Sequence, residues 1–181
     1  MNKNLKDILE NLEDESKSLM VSTRIFQDEQ ILVPYRALQC SVFGSVTFFE
    51  IKFSDINLSG SLFLNCTFRD CKFEDVDFRK TEFKYSTFQD CKFKNCTFIK
   101  TEFNDNSVFL DCDFVETDFL STYFCDFKFI ATKFENCNWD SVVGLFSEGW
   151  KSNQAITIND SVDLKNFLEI EDKNNNFSNE T

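Results

Sequence analysis

Residues 66–105 read CTFRD CKFED VDFRK TEFKY STFQD CKFKN CTFIK TEFND, and in groups of five they align themselves. Phe stands at the centre of every group: Phe68, Phe73, Phe78, Phe83, Phe88, Phe93, Phe98 and Phe103. Working outward, the beat runs back through Phe63, Leu58, Phe53 and Phe48 to Phe43. Forward, one residue is inserted around Asn104–Ser107, and the beat resumes at Phe109, Phe114, Phe119, Phe124, Phe129, Phe134 and Trp139. That gives 13 centres before the insertion and 7 after it, 20 pentads in all. A strict period of five matches neither the helical nor the simple strand repeat. The chain is therefore read as a repeat array before any local element is assigned.

The slot two residues before each centre is restricted as well. It holds Ser, Thr, Cys, Val or Ile at 19 positions, with Phe127 the exception. Two inward side chains separated by one outward residue define an extended strand. The next inward residue comes three positions later, so the chain must turn a corner once per pentad. A shift of 20 superposes Phe68–Phe83 on Phe88–Phe103 and matches Asp70 with Asp90, Cys71 with Cys91, Lys72 with Lys92 and Thr81 with Thr101. Lys72 extends back to Lys52, and Thr87 through Thr67 to Thr47. A shorter echo at a shift of 30 (Asn-Cys-Thr-Phe at Asn65 and Asn95) competes with it. The shift of 20 favours four pentads per circuit, a square coil stacked about five times and ~24 Å tall at ~4.8 Å per strand. No coil can bury its rings alone, so each must stack on a neighbour.

Over residues 36–142 this pattern resembles the pentapeptide repeat family. The resemblance implies an all-β fold, a right-handed quadrilateral β-helix, and the handedness comes from the resemblance. The chain departs from the family's commonest repeat, which runs Ala, then Asn or Asp, then Leu. Here the small slot is mostly Cys, Thr, Ser or Val and the centre is nearly all Phe. Acids and amides cluster instead in the fifth slot, at Glu50, Asp55, Asp70, Asp75, Asp90, Asn95, Asp111 and Glu116. Such side chains suit corners because they hydrogen-bond local backbone. Some members, the quinolone-resistance proteins among them, resemble duplex DNA in shape and charge and bind type II topoisomerases. The resemblance thus implies one specific alternative, a DNA-mimicking modulator of gyrase. Against it stand the missing long loops of many such proteins and the cationic column Lys52, Lys72 and Lys92.

Four segments are expected: a helix and capping segment over 1–35, the β-helix over 36–142, a C-terminal cap over 143–170 and a disordered tail over 171–181. Leu5, Ile8, Leu9, Leu12 and Leu19 recur at helical spacing and read as an amphipathic helix over residues 1–20. Its apolar face either covers the open end of the rod, where bare strand edges invite aggregation, or docks on a partner. The run Ile31–Tyr35, broken by Pro34, reads as an edge strand entering the first coil. Val142–Trp150 is apolar and suits a seal on the last coil. Ser161 is placed to cap a short helix bearing Leu164, Phe167 and Leu168. From Glu171 the chain is polar and lacks apolar periodicity.

The 181 residues carry 31 acidic and 19 basic side chains, a net charge of -12. That balance argues against direct nucleic-acid binding. His is absent, which removes the usual general base and the commonest metal ligand. No segment approaches the ~18–20 apolar residues of a membrane span. Of the eight cysteines, Cys66, Cys71, Cys91, Cys96, Cys112 and Cys137 fall in the inward slot, where a thiol acts as a compact hydrophobe. Cys71, Cys91 and Cys112 should stack in one column, but parallel side chains have the wrong torsion for a disulfide. Their spacings are not those of zinc knuckles either. Buried free thiols suit a reducing compartment, and no signal peptide is visible, so a cytoplasmic location is expected. Corner carboxylates on a convex rod offer no concave pocket. No catalytic, cofactor-binding or metal-binding residues are assigned, and no cofactor or membrane contact is expected. The expected role is a non-catalytic scaffold for a protein partner whose identity the sequence does not give.

Charge is distributed unevenly. Ser41–Asn104 holds 9 acidic and 9 basic residues, whereas residues 105–181 hold 15 and 5. The same C-terminal coils carry apolar side chains in outward slots: Val108, Leu110, Val115, Leu120, Tyr123 and Ile130. Exposed apolar area grouped with charge marks a covered or contacting surface. The candidate interaction surface is therefore Asp105, Leu110, Asp111, Asp113, Val115, Glu116, Asp118, Leu120, Tyr123, Asp126 and Ile130. Either the C-terminal segment folds back over it, or it meets a partner or a second copy in a homodimer through these coils.

Overall fold

Each pentad becomes a short strand and a corner, and the strands stack in parallel into a four-walled β-solenoid of about 6 turns. The computed structural model describes residues 4–10, 18–32, 38–151, 154–158 and 161–168. Wall A starts with the first half of strand Val42–Phe49. It continues through Leu62–Leu64, Glu82–Lys84, Glu102–Asn104, Tyr123–Cys125 and Val143–Leu145. Wall B takes the second half of Val42–Phe49 and continues through Thr67–Arg69, Thr87–Gln89, Ser107–Leu110, Phe127–Ile130 and Ser147–Lys151. Wall C stacks Gln30–Leu32, Lys52–Ser54, Lys72–Glu74, Lys92–Lys94, Asp113–Val115 and Lys133–Glu135. Wall D is joined by single bridges from Asn57 through Asp77, Thr97 and Asp118 to Asn138. The pairs Lys52–Lys72–Lys92 and Thr47–Thr67–Thr87 settle the circuit at 20 residues, and Lys92–Asp113 carries it across the insertion at 21. The echo at 30 has no structural counterpart.

The solenoid has one more coil than the Phe beat announces. Strand Met20–Gln27 lies under Val42–Phe49 with Val21 paired to Phe43 and Phe26 to Phe48, and Ile31 lies under Phe53. These offsets are 22 rather than 20, and Val or Ile replaces two of the rings, so the coil is hidden from a period of five. Leu19 consequently leads into a strand instead of lying on a helix. The helix covers Leu5–Glu10; Leu12, Pro34, Tyr35 and the tail from 169 lie outside the described residues.

Inside, the centres form ring columns. On wall D, Phe78 and Phe98 stack at 4.7 Å and 2°, and on wall B Phe68 and Phe88 stack at 4.6 Å and 3°. Adjacent walls meet edge to face, as Phe83 meets Phe88 at 72°. Both geometries suit the ring quadrupole. Phe127, the bulky exception in the small slot, is buried against Phe103, Phe109, Phe124 and Phe129. Around it the wall B stack is disturbed: Phe109 lies 48° from Phe88 and 44° from Phe129.

The small slot does more than fill volume. Cys71 Sγ donates to the Phe48 carbonyl at 3.3 Å, Ser86 Oγ to Phe63 at 3.2 Å and Thr101 Oγ1 to Phe78 at 2.6 Å. Each bond reaches 23 residues back, from one coil to the previous wall of the coil before. Where the slot holds Cys, Ser or Thr, the small side chain has a proton to give, a role that apolar packing alone does not explain. Burial pushes the Cys66 thiol up to about 11 and Cys96 up to about 12, so at neutral pH both are protonated donors.

Corners place their fifth-slot residue in the left-handed region. Among the described residues, twenty-four non-glycine residues have φ between 49° and 61°, and twelve of them are Asp or Asn, the side chains that tolerate this conformation best. Asp105 and Asn106 both adopt it, so the inserted residue is absorbed in a corner and no strand is broken.

Both ends of the rod are covered. At the N-terminus Leu5 and Leu9 are buried. The carboxylate of Glu29, in the small slot beneath Ile51, accepts from Leu5 N at 2.9 Å and Lys6 N at 2.8 Å. At the C-terminus the five-residue beat continues from Trp139 to Gly144 and Gly149, without rings. Helix 161–168 fills the space they leave: a Cβ at Gly144 would lie 2.8 Å from Leu164, and one at Gly149 would overlap the Phe167 ring. Ser161 accepts from the Gly144 amide at 3.4 Å, so its hydroxyl ties the helix to the coil. Gly149→Ala is expected to destabilise the protein by about 1–3 kcal/mol, a strain penalty of overpacking. Phe167→Ala should cost about 3–5 kcal/mol, and the double variant clearly less than the sum, because each change relieves the other. Urea unfolding of the three variants measures this; strict additivity would refute the plug.

Candidate interaction surface

The proposed surface residues do not share one wall. Leu110 and Ile130 are neighbours on wall B, with Val108 beside them, all half-buried. Asp113 and Val115 lie on wall C, Asp118 and Leu120 on wall D, and Tyr123 on wall A. Asp105, Asp111, Glu116 and Asp126 stand at corners. One full coil separates residue 105 from residue 126, so the set rings the rod. The C-terminal strand Gln154–Ile158 extends wall B beyond Ser147–Lys151, pairing with it antiparallel. It lies beyond Leu110 and Ile130, not over them.

The corner between walls B and C brings together what the linear reading scattered. Asp28, Glu50, Asp70, Asp90 and Asp111 occupy successive rungs of this corner, each with positive φ, one carboxylate per ~4.8 Å of rod. Glu50, Asp70, Asp90 and Asp111 were visible as fifth-slot acids. Asp28 was not, because the first coil runs at an offset of 22. Beside this column on wall C run Lys52, Lys72 and Lys92, and a shallow groove lies between Asp28, Glu50 and Asp70 and Gln30, Lys52 and Lys72. Lys52 pairs with Glu74 at 3.1 Å and Lys92 with Asp113 at 3.6 Å, so two cations of the column are turned toward their own wall.

Wall D is built from Asx turns. Asn57, Asp77, Asp118 and Asn138 each accept from the amide two residues on, at 2.9–3.1 Å. Arg79 closes on Asp77 with its side chain as well, Nη2 to Oδ2 at 2.6 Å. Among the described residues no group of three or more His, Cys, Asp or Glu is arranged to hold a metal ion. No described helix is long and apolar enough to cross a membrane.

Flat walls, corner columns and a ring-filled interior define a β-solenoid repeat protein. Residues 48–90 match the family model of pentapeptide repeats (9 copies), so this stretch of the chain is built of pentapeptide repeats. Among solved structures it is similar to HetL, a pentapeptide repeat protein involved in heterocyst differentiation regulation from the cyanobacterium Nostoc sp. strain PCC 7120. Identity is 9%, over 78% of this chain and 70% of that one, with a TM-score of 0.43. Full-length QnrB1, a plasmid-mediated fluoroquinolone resistance protein, is 13% identical over 70% of this chain and 93% of that one, TM-score 0.28. Rfr23, from the cyanobacterium Cyanothece 51142, is 8% identical over 67% and 88%, TM-score 0.24. No curated protein matches the chain in sequence.

The acid column has a titration signature. A hydrogen bond with Asp28 holds the Glu50 carboxyl above its ordinary range, reinforced by lost hydration and by the charges of Asp28 and Asp70. A raised carboxyl stabilises the fold in acid and loses that contribution as the pH climbs through its folded value. Glu50→Gln keeps a donor for Asp28 and removes a charge, so its melting temperature should exceed that of the unsubstituted protein at neutral pH. The gap should close on acidification into the ordinary glutamate range. A gap independent of pH would show that the column carries no repulsion.

Proposed function

We propose that the protein is a non-catalytic interaction scaffold whose outer surface receives a basic protein partner. The observation that carries this reading is the carboxylate column Asp28–Glu50–Asp70–Asp90–Asp111, held at fixed spacing on a rigid edge. A surface ordered before binding avoids much of the entropy cost of arranging charged side chains, and a regular row of like charges steers association with its complement. The Leu110–Ile130 pair on wall B adds a half-buried apolar strip beside the same corner, and the acidic bias of the last coils points the same way.

The column also gives the topoisomerase reading its one specific support, since a regular row of negative charge on a rod is what a DNA mimic presents. The Lys column beside it interrupts that field, and the general scaffold remains the better-supported reading. Both are tested by a variant in which Glu50→Gln, Asp70→Asn, Asp90→Asn and Asp111→Asn are combined, substitutions whose amides suit the left-handed corners. Retention of a specific partner on immobilised protein should weaken with added salt for the unsubstituted protein and be lost in the variant, while its melting temperature does not fall. Equal retention by both would overturn the scaffold reading as located here. A gyrase supercoiling assay unaffected by micromolar protein would dispose of the topoisomerase alternative.

A further inference from the structure

We propose that wall A is the interface of a homodimer in which two rods lie side by side and parallel, related by a two-fold axis running along them. Such an axis sets the first outward residue of each strand opposite the second outward residue of the same strand in the partner, so every rung meets its own reverse. Wall A is composed as that symmetry requires. Its central rung is Glu82 and Lys84, joined at 3.0 Å within the chain, so in the pair each Glu82 faces a Lys84 and four charges close a ring. The next rung is Glu102 and Asn104, bonded at 3.2 Å, again acceptor against donor. Tyr123 and Cys125 form the rung after that.

Both ends of the wall are apolar. Below the charged rungs lie Leu62 and Leu64, then Val42 and Gly44; above Tyr123 lie Val143 and Leu145. Leu64 is 42% exposed, and the most exposed apolar side chains adjoin the same wall: Met20 at 80% on its first strand and Phe146 at 76% on the corner beside its last. The flanking corners match as well. The D–A corner carries Lys80 and Lys100 and the A–B corner Tyr85 and Asp105, so the axis brings Lys100 toward Asp105 and Lys80 toward the 55% exposed ring of Tyr85.

Other pairings fail the same test. Antiparallel rods would set Glu82 against Glu102. Joining wall C to itself would oppose Lys92 to Lys94 and the carboxylates of its two corners to each other. Wall B would set Lys128 against Ile130. Wall D offers Asp77 against Arg79, yet its next rungs leave Thr97 facing Ile99 and Asp118 facing Leu120. One wall of a slender rod is a small interface by the standards of specific complexes, so the dimer is expected to depend on concentration. It leaves the B–C corner exposed, and its failure would leave the scaffold proposal standing.

The test is charge exchange. Analytical ultracentrifugation of the full chain at tens of micromolar should show a dimer. Glu82→Lys and Lys84→Glu, each alone, should raise its dissociation constant about a hundredfold by opposing like charges, with circular dichroism and melting temperature reporting retained fold. Mixed together, the two variants should form a heterodimer, since a rung of two cations then meets a rung of two anions. Leu64→Glu, at an already exposed position, supplies a second route to the monomer. The proposal is overturned by a monomeric unsubstituted protein, by folded single variants that still self-associate, or by a mixture that stays monomeric.

Discussion

The spacing of hydrogen-bonded strands dictates nearly everything in this molecule. Successive strands of one wall are separated by ~4.8 Å, which is too far for aromatic rings to sit squarely face to face and close to the distance of an offset stack. A Phe at each centre therefore meets the Phe one coil away with both the backbone ladder and the ring contact satisfied, as at Phe73–Phe93, 4.7 Å apart and 5° from parallel. Four such columns turned on edge to one another exhaust the interior. The small slot is left with the task of pairing carbonyls, which Ser, Thr and Cys perform through bonds such as Cys91 to Phe68.

The same regularity rules the outside. A ladder repeats whatever side chain it is given, so a charge in one outward slot becomes a column of like charges. The chain tolerates this by setting opposite columns side by side: carboxylates on the B–C corner against the lysines of wall C, and Lys84 against Glu82 on wall A. Exposed pairs of this kind contribute little stability. Their consequence is a surface patterned in stripes along the rod.

The walls were legible because their signal is purely local. Lys52, Lys72 and Lys92 share a slot and a shift of 20, and the strand pairs confirm them one by one. The first coil was not, because two extra residues move Val21 and Ile31 out of phase with Phe43 and Phe53. The last was not, because Gly144 and Gly149 occupy ring positions and look like an interruption until Leu164 and Phe167 are seen above them. The candidate surface suffered from the converse problem. Acidic and apolar residues close in sequence between 105 and 130 are sent to four different walls, while Asp28 and Asp111, far apart in sequence, share one edge. In a coil with a 20-residue circuit, surface patches assemble at that interval and not among sequence neighbours.

Capping decides whether such a stack remains finite. An uncovered coil presents a full ring of strand edges and aromatic faces to water, a template for another copy. The chain meets this differently at its two ends. At the start, a buried carboxylate in place of a small neutral residue turns the open slot of wall C into an acceptor for helix amides, Glu29 to Leu5 and Lys6. At the finish, the rings themselves are withdrawn from the last coil and replaced from above by a helix. Both solutions break the repeat in the small slot or the centre, the two positions whose regularity would otherwise admit a further coil. With growth along the axis closed off at each end, the flat walls and their corners are the surfaces left for association, which is why the charge and apolar patterns on them carry the functional argument.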